Sequence, residues 1–140
     1  MRKNPRFQLI RMNEERFFWR LLGGNNASLG SGSIGYRDVE SCVAGIAWLN
    51  DNIAELQADL HHKSGASWRW LLHSDHKILA IASHEYGRRI EASRSLDRFR
   101  AAVTAAAVSA EPETIVDWRA KYGTNSQNSF VDSFLDLRSL

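Results

Sequence analysis

The sequence predicts an α+β protein built from two tandem units, each with three strands followed by one helix. Compared with itself at an offset of 50 residues, the 140-residue chain aligns Leu21 with Leu71 and Tyr36 with Tyr86. Each copy has three short apolar segments separated by polar turns, a pattern that is typical of strands. Each copy then passes from its tyrosine into an apolar pattern with helical spacing.

Length and composition restrict the class of protein. Apolar residues make up 44% of the chain and charged residues 24%, as in ordinary globular proteins. No apolar run approaches the roughly 20 residues that span a bilayer, and no apolar stretch follows the basic start, so we expect a soluble cytoplasmic protein without a membrane partner. The single cysteine, Cys42, excludes an internal disulfide framework and a multi-cysteine zinc site.

The first unit is expected to occupy residues 6–53. Its strands are predicted at 7–12, 16–22 and 27–36, with polar turns between them. Asp38 follows the third strand and is a suitable N-cap for a helix, because its carboxylate accepts hydrogen bonds from the first amides. One apolar stripe recurs at helical spacing after Asp38 and consists of Val39, Cys42, Val43, Ile46, Leu49 and Ile53.

The second unit is expected to occupy residues 54–118 and follows without a linker. Its strands are predicted at 56–62, 67–73 and 78–86, its helix at 89–107, and a short last strand at 114–118 after the break at Pro112. We therefore expect a single domain over residues 1–118. A polar linker and an apolar C-terminal tail follow it over residues 119–140.

Short motifs in these units resemble those of the YegP-like family of small duplicated proteins. The first unit carries a Trp-Arg-Leu strand at 19–21, an Asn-Asn turn at 25–26, a Ser-x-x-Tyr strand end at 33–36 and a Gly-Ile pair at 45–46. The second unit keeps the Ser-x-x-Tyr strand end at 83–86 and a Trp-Leu-Leu strand. It lacks the Asn-Gly turn and the Gly-Ile pair of the family pattern.

The resemblance covers residues 6–118 and has consequences for the fold. It implies one antiparallel sheet formed by both units, two helices on one face of that sheet, and an exchanged last strand. It implies no catalytic residues. The tail from Tyr122 has no counterpart in the family pattern.

Residues 30–35 spell Gly-x-Gly-x-x-Gly ahead of a helix, the pattern of a dinucleotide-binding loop. Such a loop belongs to a parallel sheet in which strands alternate with helices, and the predicted order here is different. The aligned segment of the second unit, 80–85, reads as plain strand. We interpret the match as accidental.

Residues with metal-binding or nucleophilic side chains have simpler interpretations than a metal site or a catalytic residue. His73, His76 and His84 could suit zinc by residue type, but the first two lie at a predicted hairpin turn, where solvated histidines are common. Cys42 belongs to the apolar stripe of its helix, as an inert buried thiol does. Ser33 recurs as Ser83 at a strand end, where a hydroxyl usually bonds backbone. We expect no metal, no cofactor and no catalytic residue.

The predicted sheet has two faces that differ in composition. Under the offset of 50, the residues of the second strands expected to face the helices are Phe18, Leu22, Trp68, Trp70 and Leu72. The opposite parity places Phe17, Trp19, Leu21, Arg69 and Leu71 on the open face. An apolar open face indicates a partner or self-association surface. Alternatively, the tail docks there through Phe130, Phe134 and Leu137, and the sequence favours neither reading.

The two helices each carry a surface feature. Trp48 lies opposite the apolar stripe of the first helix, which is an unusual place for tryptophan unless the second helix, the tail or a partner contacts it. Arg94 and Arg98 lie one turn apart on the second helix and could hold phosphates. However, Glu91 and Asp97 are close enough in sequence to compensate them.

These observations predict a non-catalytic module for protein–protein interaction. We expect it to bind a protein partner, or a second copy of itself as a homodimer, through Trp19, Trp48, Arg69, Phe130 and Phe134. The alternative is nucleic-acid binding, single-stranded or duplex, through the open sheet face with Arg94 and Arg98. The near-neutral formal charge of +2 argues against that alternative.

Overall fold

The computed structural model describes residues 4–65, 67–75, 77–108 and 113–114. The first half contains β1 (Arg6–Asn13), β2 (Arg16–Leu22), β3 (Ser28–Gly32) and α1 (Val39–Asn52), followed by a 3-10 turn at Ile53–Glu55. The second half contains β4 (Gln57–His62), β5 (Trp68–Ser74), β6 (Lys77–Ala82) and α2 (Arg89–Ala105), followed by β7 (Ala107–Val108) and β8 (Glu113–Thr114).

The strands form a single mixed sheet, so the α+β class is confirmed. Seven strands lie in the order β4-β5-β6-β3-β2-β1-β7, and β8 also pairs with β1. The two halves meet at the centre of the sheet, where β3 and β6 are antiparallel neighbours. The expectation of an antiparallel sheet is wrong at one edge, because β7 and β8 run parallel to β1. The chain leaving α2 thus returns beside the first strand.

Both helices pack into one hydrophobic core. The buried residues of α1 are Cys42, Ile46 and Leu49, and those of α2 are Ala92, Ser95, Leu96, Phe99, Ala102 and Val103. The aromatic centre of the core lies between the two halves, where the Phe99 ring contacts Trp19 at 6.3 Å and Trp70 at 4.6 Å between centroids. The predicted apolar stripes therefore cover one face of the sheet together.

The faces of β2 are reversed relative to the prediction. Phe17, Trp19 and Leu21 belong to the helix-side core, and the exposed fraction of Trp19 is only 2%. The placement of Trp19 on the open face is therefore wrong. In the second half the prediction is confirmed, since Trp70 and Leu72 lie in the same core.

The reversal arises because the two halves are not related by one constant offset. Phe17 bridges Tyr36, and Trp68 bridges Tyr86. The tyrosines are 50 positions apart, whereas Phe17 and Trp68 are 51 positions apart. A slip of one residue moves a side chain to the other face of a sheet, so applying 50 throughout inverted β2.

The outer face of the sheet is less exposed than the sequence indicates. Leu71 and Ile81 form a small second cluster with the half-buried Ile78. Ile10 and Leu22 are also buried, so this face does not present a broad apolar surface. Among the described residues, the large exposed apolar side chains are Met12, Trp48, Ile90 and Val108.

Element boundaries differ from the predictions mainly after the third strands. β3 and β6 end at Gly32 and Ala82, and isolated bridges at Tyr36 and Tyr86 follow them. The second helix ends two residues early, so that β7 can pair with β1. Of the predicted last strand, residues 115–118 lie outside the described residues. The same holds for the linker and tail at 119–140, including Phe130, Phe134 and Leu137.

The two helices begin differently. Asp38 is the N-cap of α1, as predicted, and its Oδ1 accepts a hydrogen bond of 2.7 Å from the Ser41 amide. This bond lowers the pKa of the Asp38 carboxyl. The N-cap of α2 is Arg88, whose side chain makes no capping hydrogen bond.

Candidate functional site

Trp48 lies on the exposed side of α1, as the sequence predicts, and 45% of its surface is accessible. It borders a cleft with a volume of about 420 Å³. The cleft lies between α1, the segment after β3 and the turn joining β5 to β6. Its lining residues are Trp19, Ile34, Tyr36, Gly45, Trp48, Leu49, Ser74, Asp75, Lys77 and Leu79.

The floor of the cleft depends on two glycines that large rings approach closely. A Cβ at Gly45 would collide with the Tyr36 hydroxyl, so the tyrosine lies over the helix only because residue 45 has no side chain. A Cβ at Gly32 would lie 2.6 Å from the Trp19 indole nitrogen. Trp19 is held from other sides by Phe7, whose ring meets it edge-on at 5.4 Å.

The polar groups of the floor are two hydrogen-bond donors. In the described part of the chain, neither the Trp19 indole N–H nor the Tyr36 hydroxyl has a hydrogen-bond partner. Neither atom belongs to the fully buried unpaired polar atoms, so each keeps some accessible surface, and both residues line the cleft. Burial raises the pKa of Tyr36, and the nearby Cys42 thiol adds to this effect, so the hydroxyl keeps its proton at neutral pH.

The rim of the cleft carries one cation and one anion. Lys77 and Asp75 are both exposed; Asp75 lies in the turn between β5 and β6, and Lys77 is the first residue of β6. No ion pair within 4.0 Å involves either of them among the described residues. Asp75 has a φ of 48°, the left-handed conformation that Asp and Asn tolerate in tight turns.

The equivalent position in the second half is closed by a serine. Ser95 lies 50 residues after Gly45 and is 1% exposed. Its Oγ accepts hydrogen bonds from the Trp70 indole nitrogen at 3.0 Å and from the Tyr86 hydroxyl at 2.9 Å. One oxygen thus pairs the same two donor types that are unpaired beside Gly45.

Arg69 projects from the outer face of the sheet, as predicted. Its side chain is 11% exposed, and its Nη2 lies 4.0 Å from Oε1 of Glu85. Nε and Nη1 are buried without a hydrogen-bond partner. Burial lowers the pKa of Arg69, and Glu85 partly opposes that shift. The guanidinium lies on the opposite face of the sheet from the cleft, because side chains alternate along β5 and Trp70 lies in the helix-side core.

Arg94 and Arg98 are exposed on α2, as predicted. The expected compensation by Glu91 is wrong, because Glu91 pairs with Arg88 at 3.4 Å. Asp97 forms no ion pair with either arginine, so over the described ranges both are without a carboxylate within 4.0 Å. The structure therefore leaves the predicted contact residues at three separate places: Trp48 at the cleft, Arg69 on the outer sheet face, and the arginine pair on α2.

The Gly-x-Gly-x-x-Gly segment forms no phosphate-binding loop. Gly30 and Gly32 lie within β3, where they pair with Ala82 and Ala80 of β6. The helix begins only at Val39. Residues 30–35 therefore do not form the glycine turn at a helix N-terminus that binds a nucleotide phosphate.

His73 and Cys42 are accounted for by their contacts and burial within the fold. His73 Nε2 lies 3.0 Å from Asp59 Oδ2, and His76 lies outside the described residues. No group of three or more metal-binding side chains occurs in the part of the chain that the structure describes. Cys42 is buried, and burial raises the pKa of its thiol to about 12, so at neutral pH it is protonated and a poor nucleophile.

Of the two strand-end serines, Ser33 bonds backbone as expected and Ser83 does not. The Ser33 hydroxyl donates to the Ile78 carbonyl of the neighbouring half. The Ser83 hydroxyl instead pairs with that of Ser28 at 2.6 Å. Through these hydroxyl groups both serines link the β3 and β6 regions of the sheet.

Sequence reasoning missed the cleft and three of its polar residues: Tyr36, Asp75 and Lys77. In the sequence, Tyr36 marks the end of the third strand and aligns with Tyr86, and neither feature points to a site. The available signal was the exchange of Gly45 for Ser95 at matching helix positions, since it removes a hydroxyl from one half alone. Lys77 and Asp75 gave no signal, because the first-half elements that face them are distant in sequence.

No helix among the described residues combines the length and the apolar character that crossing a membrane requires. No protein-family model matches the chain, and no curated protein matches it. Two solved structures do. A protein of unknown function from E. coli, YegP, covers 84% of this chain and 99% of its own, with a TM-score of 0.66 and 18% identity.

The second structure is a UPF0339 protein from Shewanella oneidensis. It covers 83% of this chain and 97% of its own length, with a TM-score of 0.63 and 12% identity. Both were determined by NMR in solution. Identities this low concern the fold, and the fold agrees over nearly the whole of each neighbour. The resemblance read from the short motifs is thus confirmed in three dimensions, and the chain has the fold of the YegP-like proteins.

Proposed function

We propose that this protein is a non-catalytic binding module that recognises a protein partner through the surface around Trp48. One observation carries the proposal: Trp48 is 45% exposed at the mouth of a cleft of about 420 Å³. Tryptophan is among the residues that contribute most to protein interfaces, because it buries a large rigid apolar area on contact. A tryptophan left outside the core of its own helix therefore supports a role in contact.

The cleft beside Trp48 supports a specific contact rather than nonspecific hydrophobic association. The cleft offers the apolar side chains of Leu49, Leu79 and Ile34 next to the indole. Partner side chains that fill such a pocket are shielded from water, which is where interface residues contribute most binding energy. We therefore expect Trp48 and the cleft to be covered together.

The contact set predicted from sequence changes in one respect. Trp19 forms part of the floor of the cleft instead of an open sheet face, so it supports the site from beneath. Arg69 stays a prediction for a separate polar contact on the outer face, and its side chain is only 11% exposed with two unpaired nitrogen atoms buried. Phe130 and Phe134 remain predictions from the sequence, and so do the linker and tail, the homodimer and the cytoplasmic location.

The non-catalytic part of the proposal rests on chemistry. The one thiol is protonated, with a pKa of about 12, and the strand-end serines are engaged in hydrogen bonds. An enzyme would need a nucleophile or base converging on a pocket. The groups converging on the cleft are donors and a pair of rim charges, which favour binding over bond making.

Quantitative affinity capture with matched variants tests the proposal. The full chain is immobilised as wild type, as Trp48→Ala and as Ile90→Ala, the last removing a 50% exposed apolar side chain from α2. Removing an interface tryptophan commonly weakens binding by about 2 kcal/mol or more, roughly 30-fold. We expect proteins that bind wild type and Ile90→Ala to be lost with Trp48→Ala, at both low and moderate salt.

Two outcomes contradict the proposal. One is capture that Trp48→Ala and Ile90→Ala affect equally. The other is that no protein binds the wild type above the level of an empty matrix. Truncation after Tyr122 is a further arm, because it tests whether the tail takes part in the contact.

Nucleic-acid binding is a second candidate, favoured by the unpaired state of Arg94 and Arg98. Two exposed arginines one helical turn apart suit phosphate oxygens. Titration with single- and double-stranded DNA at two salt concentrations tests it. We expect the double change Arg94→Ala with Arg98→Ala to weaken binding and reduce the salt dependence, whereas Arg88→Ala, which removes an arginine already paired with Glu91, serves as the control.

We also infer that the two halves are copies of one β-β-β-α unit within a single domain. Three correspondences support this: the matching order of elements, the matching bridges from Tyr36 and Tyr86, and the matching buried positions of α1 and α2. The changing offset between the copies explains why the repeat is weak in sequence.

A further inference from the structure

We propose that the cleft beside Gly45 binds a carboxylate attached to an apolar group. The first observation is a contrast between the two halves. Ser95 Oγ accepts from an indole N–H and a tyrosine hydroxyl, at 3.0 and 2.9 Å, whereas the equivalent donors on Trp19 and Tyr36 have no partner in the described chain. A site that holds two such donors is complementary to an acceptor oxygen from outside.

The direction of entry is set by Gly45. The Tyr36 hydroxyl occupies the space where a side chain at position 45 would begin, so no oxygen can approach from the helix. The cleft side is open, because both Trp19 and Tyr36 line it. An incoming acceptor oxygen would therefore reach these donors from the solvent side of the cleft.

The donors and the rim indicate the charge of the ligand. An indole N–H can only donate, and Tyr36 keeps its proton because burial raises its pKa. Hydrogen bonds to an ionised acceptor are stronger than those to a neutral one. Lys77 at the rim has no carboxylate within 4.0 Å among the described residues, so its ammonium group can approach an anion in the cleft.

Asp75, also on the rim, opposes an anion and must be counted. It is exposed, so its repulsion is screened by water. The two donors lie on the floor, beyond the rim, where water is scarcer and hydrogen bonds are worth more. The binding energy from the donors should therefore outweigh the rim repulsion, and removing Asp75 should strengthen binding.

The remaining walls select an apolar body. Leu49, Leu79 and Ile34 line the cleft, and the Trp48 ring stands at its mouth. A ring or branched chain attached to the carboxylate would pack against them and leave the charge near the floor. A free carboxylic acid and the C-terminal residue of a peptide share this chemistry. The proposal needs no protein partner, so it stands apart from the function proposed above.

NMR titration of the full-length ¹⁵N-labelled protein tests the proposal, with the assigned indole N–H signal of Trp19 as reporter. The probes are 4-phenylbutyrate, its neutral amide, a short peptide ending in a free Phe carboxylate, and the same peptide amidated. We expect the Trp19 indole signal to shift with one or both carboxylates and not with the amides. A response to the peptide alone identifies a chain terminus as the ligand, and a response to both identifies the carboxylate itself.

Variants separate recognition from folding. Tyr36→Phe removes one donor and should weaken the affinity for the carboxylate about tenfold, whereas Tyr86→Phe removes the matched hydroxyl from the closed half and should leave it unchanged. Lys77→Ala should weaken affinity about threefold, and Asp75→Asn, which suits the left-handed turn, should strengthen it about twofold. The dispersion of backbone amide signals shows whether each variant is folded.

The proposal is overturned if the Trp19 indole signal responds to none of the four probes. It is also overturned if acid and amide shift it equally, or if Tyr36→Phe and Tyr86→Phe alter the affinity alike. Loss of protein capture in Trp48→Ala, with an unmoved Trp19 signal, would keep the protein-binding function and reject the carboxylate site.

Discussion

The two halves of the molecule place the same pair of aromatic residues beside a helix and differ in how they complete the arrangement. In the second half, Ser95 joins Trp70 to Tyr86 through two hydrogen bonds. In the first half the equivalent position is Gly45, and the donors of Trp19 and Tyr36 line a cleft. A single missing hydroxymethyl group thus separates a closed core from an accessible site.

The third strands differ in the same direction. β3 has glycine at 30 and 32, where β6 has alanine at 80 and 82. The glycines let the rings of the core approach the strand backbone, so that an added Cβ at Gly32 would lie 2.6 Å from Trp19. In the first half, aromatic rings therefore pack directly against the strand backbone at the base of the cleft, where the second half has alanine side chains. We interpret the second half as the more rigid one and the first as the half that carries the binding surface.

The largest expected effect comes from removing the oxygen that closes the second half. Ser95→Ala leaves the Trp70 N–H and the Tyr86 hydroxyl without their acceptor, and unpaired buried donors each cost roughly 1–3 kcal/mol. Because Tyr86 is only partly buried, we expect the free energy of unfolding to fall by about 2–3 kcal/mol in total. Urea denaturation measures this. Ser93→Ala, on the same helix, is the control, and equal losses for the two variants would contradict the asymmetry.

The next effect tests whether the base of the cleft is rigid. Gly32→Ala places a methyl group against the Trp19 ring, and overpacking a close-packed core costs about 1–3 kcal/mol. Ser31→Ala, on the opposite side of the same strand, should change the midpoint of urea denaturation little. A Gly32→Ala protein as stable as wild type would show that Trp19 can move aside, and it would contradict a close-packed base of the cleft.

A smaller effect distinguishes the two tyrosines directly. Tyr86→Phe removes a hydroxyl that donates to Ser95 and should cost about 1 kcal/mol of unfolding free energy. Tyr36→Phe removes a hydroxyl without a partner in the described chain, so we expect stability within about 0.5 kcal/mol of wild type. Thermal or urea unfolding of both variants under one set of conditions makes the comparison. Equal losses would show that Tyr36 is paired as well.

The smallest effect concerns the helix starts, which also differ between the halves. The pKa of Asp38 is lowered in the folded protein by the Ser41 amide, so its contribution to stability is present above the unfolded pKa near 3.8 and is lost as pH falls through the folded value. Asp38→Asn keeps a cap but does not titrate. The stability advantage of wild type over Asp38→Asn should shrink below about pH 4.

The α2 start provides the control for that pH effect. Arg89, the first residue of α2, has no carboxylate within 4.0 Å among the described residues, so Arg89→Asn should leave the acid-dependent fall of stability as steep as in wild type. Urea midpoints measured from pH 7 to pH 3 provide the data. If Asp38→Asn and wild type stay parallel throughout, the Asp38 cap does not contribute through its charge.

Much of the fold was predictable because it depends on local pattern. The stripe around Cys42 and Ile46 predicted α1, Asp38 predicted its start, and the outward position of Trp48 followed from helical spacing. The prediction failed for β2, where a one-residue change of offset reversed the faces and removed Trp19 from the open surface. An error of one residue moves every side chain of a strand to the opposite face of the sheet. The apolar stripe of a helix is broad, so the same error still leaves most of its residues on the buried side.

The cleft was not predictable in the same way, because its residues come together only through long-range pairing. The cleft combines α1 with Ser74, Asp75 and Lys77 because β6 lies beside β3 at the centre of the sheet. No local spacing relates them to Tyr36 or Gly45. The comparison of equivalent helix positions contained the exchange of Gly45 for Ser95, but its meaning required knowing which donors surround each position.

The sequence by itself determined the α+β class, the order of strands and helices, the apolar stripes that build the core, and the exposure of Trp48. These follow from propensity and periodicity, which act over a few residues. The tertiary structure alone decided which face of β2 is buried, that the returning strands lie parallel to β1, and that Trp19, Tyr36 and Lys77 share one cleft. Register and strand order decide those features, because they set which distant residues become neighbours.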